Sequence, residues 1–399
     1  MRGGLGDFLL QREKYGQNAN TQRVLGEELA VTRGKLITIH SSPMTKSTIS
    51  ISFSSDGATL ATSHGDHTIK LFCSYTYLYL GELVGHPRTV WTVKFHPFTR
   101  GLVASGCLGG ECRVWNCETQ ECIFMTTVNR EIVSISFHPV KEWIAIGSGA
   151  QVFIWDYRRA RQIVLLKCDR NVRCVGFCGS CNIIVGEPAP ESDLYMHNIT
   201  GRSELTVRLQ LVRFGPCVFE NNETSSRVLL ENTVLYSDGG FDISSCGRLL
   251  YAVSYTNCNL VPLTRRLDIQ DELLSPPKLR RINNRGSYSL VAVNLHTFEV
   301  ETFARLHDDF ARGVTSVKRS PSNSHLVLGY GVPSRQIEYT GRIAIVFSNI
   351  NNNFKTIAVI KSEQEADLNM ICFHPRPECG LVYGTRLGTI VTYGISSIC

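Results

Sequence analysis

An all-β fold of seven repeated strand units is what this sequence predicts, on three observations. Phe53, Phe95 and Phe137 follow one another at 42-residue intervals. The surroundings repeat with them: Val90 to Phe95 leads into His96-Pro97, Leu102 to Gly106 and the run ending Trp115-Asn116, and Ile132 to Phe137 leads into His138-Pro139, Trp143 to Ser148 and the run ending Trp155-Asp156. Each unit also holds several short alternating runs, the period of half-buried strands. A repeat of about 40 to 45 residues with several strands per unit is the mark of a β-propeller of WD repeats.

Taken in order, residues 1–34 read as a helical segment that precedes a propeller over 35–399. Asp7 to Tyr15 and Thr21 to Ala30 are rich in helix formers, with Asn20 or Thr21 placed to cap the second helix. Phe8, Leu9 and Leu10 on the first, with Val24, Leu25 and Leu29 on the second, give an apolar face that must be covered, by the propeller or by a partner. Lys35 to His40 alternates and suits an outer strand that pairs with the last blade and removes an open sheet edge. Blades one to four occupy about 41–190, starting near Ile49, Val90, Ile132 and Val172. The fourth keeps Arg173 to Phe177 but its ending is lost, so 187–235 reads as a loop-rich junction with polar Glu220 to Arg227 as a loop. Blades five to seven fill 236–399, the fifth interrupted by a basic, proline-containing insert from Asn257 to Arg285.

Composition narrows the function. The chain is 399 residues long, 43% hydrophobic and 19% charged, with a net charge of +6 and no dense run of Lys and Arg, which argues against nucleic acid. Met1 to Leu10 lacks the apolar core of a secretory signal, and no run of 18 apolar residues occurs, so neither export nor membrane insertion is expected and the cytosol or nucleus is. Fifteen cysteines, an odd number, read as buried apolar residues in a reducing compartment. Phosphate-loop, zincin and nucleophile-elbow motifs do not occur. Cys178-Gly-Ser-Cys181 has no second pair at zinc spacing, and Cys107, Cys112, Cys117 and Cys122 are expected on different strands and faces. No metal, cofactor or enzymatic activity is therefore expected. His96, His138 and His374 each precede a proline at one repeat position and read as scaffold.

One repeat position carries a binding signal. Seven residues before Phe53, Phe95, Phe137, Phe177 and the matching Arg319 stand Lys46, Arg88, Arg130, Arg170 and Arg312, whereas the remaining two blades have Tyr236 and Ala366 there. Equivalent loops of a propeller converge on one face, so these bases predict a positive ring suited to an acidic or phosphorylated peptide.

Gly85-His86-Pro87-Arg88-Thr89-Val90-Trp91 through His96-Pro97, Gly101 to Leu108, Phe8 to Ala30, Phe241 to Leu250 and Gly380 to Gly388 closely resemble the WD-repeat part of the Ambra family, the activating molecule in Beclin-regulated autophagy. In that family a long disordered insertion splits the propeller, and here 187–235 takes that place in much shortened form. The resemblance implies a non-catalytic substrate receptor of cullin-4 RING ubiquitin ligases, linked to autophagy and to turnover of D-type cyclins through a phosphorylated degron. It implies docking on the damaged-DNA-binding adaptor through Phe8, Leu9, Leu10, Arg12, Val24, Leu25 and Leu29 and through the Trp-Asp-x-Arg box at Trp155, Asp156 and Arg158. Substrates would meet Lys46, Arg88, Arg130, Arg170 and Arg312. Beclin is a further partner it implies, and a scaffold for autophagy-initiation complexes with no ligase role is the alternative. Blade two departs from the WD pattern: Gly109 replaces the turn aspartate that would bond the His86, Ser105 and Trp115 set.

Overall fold

The computed structural model describes residues 19–394 apart from 41–45, 190–205, 222, 236, 245, 257–286, 307–312, 332–341, 351–352 and 362–367. The basic insert, Arg312, Phe8, Leu9, Leu10 and Arg12 lie outside the described residues. Helix α1 (Ala19–Arg33) is followed by strands that fall into antiparallel groups of four. Blade one is β2 (Thr48–Phe53), β3 (Thr59–His64), β4 (Ile69–Cys73) and β5 (Tyr79–Leu83); blade two is β6 (Val90–Phe95), β7 (Leu102–Cys107), β8 (Glu111–Asn116) and β9 (Glu121–Thr127). Blade three is β10 (Ile132–Phe137), β11 (Trp143–Ser148), β12 (Gln151–Asp156) and β13 (Arg161–Lys167); blade six is β22 (Val314–Arg319), β23 (His325–Tyr330), β24 (Arg342–Ile350) and β25 (Asn353–Lys361).

Blades four and five form one eight-stranded sheet. β14 (Cys174–Phe177), β15 (Asn182–Pro188), β16 (Thr206–Phe214) and β17 (Thr224–Val234) make the first half, and β18 (Phe241–Ile243), β19 (Leu249–Thr256), β20 (Ser287–Asn294) and β21 (Val300–Leu306) the second. Among the described residues they join where Thr233 of β17 pairs with Ser254 of β19, so the sheet is two blades touching at an edge. The loop-rich junction expected over 187–235 is corrected here. β16 and β17 are full strands, and Thr224 to Arg227, read as part of a loop, is the start of β17. The third strand of blade four ends at Phe214 without a Trp-Asp pair, and its alternation from Thr206 resumes only after an interruption, which hid it.

Two compact units make up the chain: residues 1–125, 318–331 and 339–399 form one, and 126–317 with 332–338 the other. In the first, β26 (Leu368–Phe373), β27 (Leu381–Thr385) and β28 (Ile390–Gly394) form blade seven, and β1 (Lys35–His40) pairs with β28 as its outer strand. The expected pairing of Lys35 to His40 with the last blade is thus present, Lys35 opposite Gly394 and Leu36 opposite Tyr393. Helix α1 hands directly into β1 at Gly34, where a Cβ would strike the Ala30 carbonyl and the Tyr393 ring.

The alternating Ile-Ser-Ile-Ser-Phe runs have a physical explanation. Phe95 N–H donates to Ser52 Oγ at 2.9 Å in the first unit, and in the second Val175 N–H donates to Ser134 Oγ at 3.0 Å and Phe177 N–H to Ser136 Oγ at 3.1 Å. A small hydroxyl on one inner strand satisfies backbone donors on the next blade while the intervening isoleucines and valines pack. Ile51, Ile135 and Val93 are accordingly buried.

Helix α1 packs on β23, β25, β28 and the 3₁₀ turn Pro377–Cys379 of its own unit. Its inward face is Gly26, Glu27, Ala30 and Val31, with Val31 in the apolar cluster of Val327, Ile343, Phe373 and Leu381. Val24, Leu25 and Leu29, expected as the face to be covered, are only part-buried, and Asn20 and Thr21 lie inside the helix rather than capping it. At about 100° per residue, Leu25 and Leu29 point roughly 160° away from Glu27. The helix therefore has a seated face and a second, apolar one.

Candidate docking site

The turn between β12 and β13 is built by the aspartate of Trp155-Asp156. Asp156 Oδ1 accepts from Arg159 N–H at 3.0 Å, its Oδ2 accepts from Trp143 Nε1 at 3.2 Å, and Arg159 adds an ion contact at 3.4 Å. An Asp or Asn side chain that takes backbone N–H groups two or three residues on folds a tight turn. Asn116 does the same for Glu118 and Thr119, and Asn294 for His296 and Thr297. Trp155 and Tyr157 are buried, and burial beside Glu142 pushes the Tyr157 hydroxyl up to about 12, so it stays protonated. Arg158 projects from this frame, 59% exposed, with its Nε 2.5 Å from Glu142 Oε1. The matching positions of blades one, two and five carry Tyr75, Glu118 and His296, so among these four turns only blade three presents a strong base.

Beside Arg158 lies an open cleft of about 640 Å³ within the second unit. Lys141, Trp143, Arg158 and Arg161 of blade three line one side, and the Pro216 to Glu220 turn between β16 and β17 lines the other. Lys141 Nζ donates to the Pro216 carbonyl at 2.7 Å and sits 3.9 Å above the Trp143 ring. Trp143 and Phe219 meet edge to face at 5.2 Å, and the Arg161 guanidinium lies 5.2 Å from the Phe219 ring. Sequence reasoning missed this cleft, because its two walls are 75 residues apart at the Lys141 to Pro216 bond.

Three of the five bases at the repeat position, Lys46, Arg88 and Arg130, occupy equivalent places in their blades. In the first unit Lys46 stands two residues before β2 with its carbonyl accepting from Gly65 N–H at 2.7 Å, and Arg88 two residues before β6 beside Gly109. In the second unit Arg130 stands two residues before β10 with its stem against Gly149. Each base thus overlies the turn between the second and third strands of its own blade. Lys46, Arg88 and Arg130 are exposed, and Arg170 is half-buried. Near blade four the charge is mixed: Glu187, almost wholly buried, pairs with Arg208 at 2.5 Å.

The remaining candidates are structural. His138 Nδ1 accepts from Val140 and Lys141 N–H at 3.0 and 2.8 Å, and His374 Nδ1 from Arg376 N–H at 2.9 Å. A ring nitrogen that accepts two backbone hydrogens belongs to a neutral imidazole. Burial lowers the His138 pKa and takes His374 down to about 4. His86 Nε2 and Trp115 Nε1 both meet Ser105 Oγ, at 2.7 and 2.8 Å, while His86 Nδ1 stays 3.8 Å from Glu111 and finds no hydrogen-bond partner. Burial, with Arg113 nearby, takes the His86 pKa down to about 3. Cys107 ends β7, Cys112 lies in β8 and Cys122 in β9; burial raises the Cys112 thiol and takes that of Cys117 up to about 12. Among the described residues no three His, Cys, Asp or Glu side chains gather as a metal would require.

The WD40 family (WD domain, G-beta repeat) matches at 34–73 and 78–116. Two zebrafish (Danio rerio) proteins are similar: activating molecule in BECN1-regulated autophagy protein 1A, 35% identical over 135 residues, and 1B, 34% identical over 178 residues. Over these stretches the chain is similar to the Ambra family of WD-repeat proteins. The matched stretches cover 33% and 43% of this chain and 10% and 13% of those relatives. The β-propeller domain of Cps50 (Swd1) from Myceliophteria thermophila superposes with a TM-score of 0.63 over 90% of this chain and 100% of that one; at 12% identity it shows the fold alone, an all-β WD40 propeller. This WD-repeat propeller keeps Trp155, Asp156 and Arg158 together on one turn and Leu25 with Leu29 on one helix face.

Proposed function

We propose that this chain is a non-catalytic substrate receptor that docks on the damaged-DNA-binding adaptor of a cullin-4 RING ubiquitin ligase and brings acidic or phosphorylated proteins to it. The observation that carries the reading is Arg158, exposed on a turn that Asp156 fixes, at a position where the comparable turns hold Tyr75, Glu118 and His296. A pre-shaped turn presents its guanidinium at little entropic cost, which favours docking to a partner carboxylate. Leu25 and Leu29, on the helix face turned away from the seated one, give the first unit an apolar surface of its own for such a partner. Lys46, Arg88, Arg130 and Arg170, each at one loop position of its blade, are the groups that take the substrate, with a phosphorylated segment of a D-type cyclin as the candidate. Work of this kind belongs in the cytosol or nucleus.

The test is calorimetric titration of the folded chain with the purified adaptor. Arg158→Ala and the pair Leu25→Asp with Leu29→Asp are each expected to weaken binding by about tenfold or more. Point changes are preferable to removing residues 1–34, since that deletion would also take Glu27 and Val31 out of the packed core. Absence of binding by the folded wild-type chain would sink the receptor reading. The names of the zebrafish relatives favour what would then remain, a scaffold that assembles autophagy-initiation partners, Beclin among them.

A further inference from the structure

The cleft beside Arg158 is assembled from charges that do not cancel. Arg158 is neutralised by Glu142 at 2.5 Å and Arg159 by Asp156 at 3.4 Å. Lys141 and Arg161 have no carboxylate partner among the described residues: Lys141 holds a backbone carbonyl and the Trp143 face, and Arg161 only the Phe219 ring. A guanidinium resting over an aromatic ring leaves N–H donors of its fork for a further acceptor. Of the three acids that line the cleft, Glu142 and Asp156 are thus engaged, and Glu220 stands alone against the two uncompensated bases.

The walls mix polar and apolar surface in about equal parts, and they are preformed. Trp143 is almost wholly buried, locked from behind by its Nε1 bond to Asp156 and from the front by Phe219. Val140 stands 80% exposed at the rim. The Pro216 to Glu220 turn is tied down by the Lys141 bond and by Glu220 and Asn221 N–H groups that donate to the Cys217 carbonyl at 2.9 and 3.0 Å. A cavity near 640 Å³ lies within the range of about 300–1,000 Å³ that ordinary ligand sites occupy.

We infer that this cleft is a peptide-binding site for an acidic segment of a partner protein, with an apolar side chain of the segment against Trp143, Phe219 and Val140 and its carboxylates on Arg161 and Lys141. The site is distinct from the bases at the repeat position. It stands whether or not the partner proposed for Arg158 is the cullin-4 adaptor, because every contact in it belongs to blade three and the β16–β17 turn. Arg161 is the specificity-determining residue, and Lys141 both pairs with the ligand and holds the turn.

Fluorescence polarisation on the full chain tests it with three labelled heptapeptides, each carrying one central Phe: one otherwise of Glu and Asp, its Gln and Asn counterpart, and its Lys counterpart. The acidic peptide is expected to bind at least about tenfold tighter than the amide form, the worth of one charge-assisted pair, and the Lys form not at all. Arg161→Glu should abolish that preference with an unchanged melting temperature, and Lys141→Gln should weaken it. Equal binding of the three peptides, no binding of the acidic one, or an unchanged preference in Arg161→Glu would overturn the inference. Calorimetry of the same variants against the adaptor separates it from the receptor reading. Acidic-peptide binding without adaptor binding would sustain the cleft and remove the receptor, and adaptor binding lost in Arg158→Ala with no peptide preference would do the reverse.

Discussion

Glu27 Oε2 accepts a hydrogen bond from His325 Nδ1 at 2.9 Å, across 298 residues of chain. Both side chains are almost completely buried, and Glu27 also takes Ser322 N–H at 2.8 Å and the Ser322 hydroxyl. Burial alone would raise the Glu27 pKa, but the hydrogen bonds from His325, Ser322 and Ser320 outweigh it and hold the carboxyl below its ordinary value. An ionised carboxylate can only accept, so Nδ1 carries the hydrogen.

Replacing Glu27 should therefore be costly. Glu27→Ala leaves buried donors on His325 and Ser322 unmatched, and loss of one partner of a buried pair costs about 3 kcal/mol or more. Urea unfolding of Glu27→Ala, His325→Ala and the double variant is expected to show strong non-additivity, the double costing little more than Glu27→Ala alone. Additive losses would mean that the two residues stabilise the chain separately.

The depth at which the sequence revealed this protein tracks how local each feature is. Phe-His-Pro recurs in three blades and Trp followed by Asn or Asp in two, because these blades share strand ends and an Asx-bonded turn, so the repeat and the outer strand Lys35 to His40 could be read from short stretches. Blade four was hard to follow, since Phe214 ends its third strand without the Trp-Asp pair and residues 190–205 break its period. Glu27 to His325 and Lys141 to Pro216 escaped entirely, because contacts 298 and 75 residues apart leave no spacing signal. Only the acid within an otherwise buried helix stripe, Gly26, Glu27, Ala30 and Val31, hinted at a polar partner.

Acid should weaken the fold before the carboxylates titrate. His374 and His86 have folded pKa values of about 4 and about 3 against an ordinary 6.5, and His138 is also lowered. The unfolded chain binds these protons first, so their contribution is full above pH 6.5 and drains as the pH falls from 6.5 towards 4 and 3. Glu27, also depressed, adds to the loss below 4.5. Melting temperature is expected to be flat above pH 7 and to decline through this window. A flat profile down to pH 4.5 would show that these imidazoles are not held neutral.

Blade two offers a gain. His86 Nδ1 is buried without a partner, and the turn residue that would reach it in the WD pattern is Gly109. Gly109→Asp is expected to stabilise the chain by about 1 kcal/mol if the new carboxylate meets His86. A Cβ at this position lies 3.1 Å from Pro87 Cγ, so Gly109→Ala, which adds the crowding without the bond, should be neutral or destabilising. Equal melting temperatures for the Asp and Ala variants would refute the hydrogen-bond explanation.

Asp156 and Arg158 should separate stability from binding. The Arg158 to Glu142 pair is 59% and 46% exposed at its two side chains, and exposed pairs contribute about 0–1 kcal/mol, so Arg158→Ala should leave the melting temperature nearly unchanged while it weakens docking of the adaptor. Asp156 is buried and holds Trp143 Nε1, Arg159 N–H and the Arg159 side chain at once. Asp156→Ala is expected to cost about 2 kcal/mol and to weaken docking as well, since the turn that aims Arg158 loses its cap. Asp156→Asn keeps an acceptor for Arg159 N–H and should recover most of the stability. If Asp156→Ala bound the adaptor as wild type does, the turn would have no part in presenting Arg158, and the docking surface would have to be sought on the Leu25 and Leu29 face of the helix.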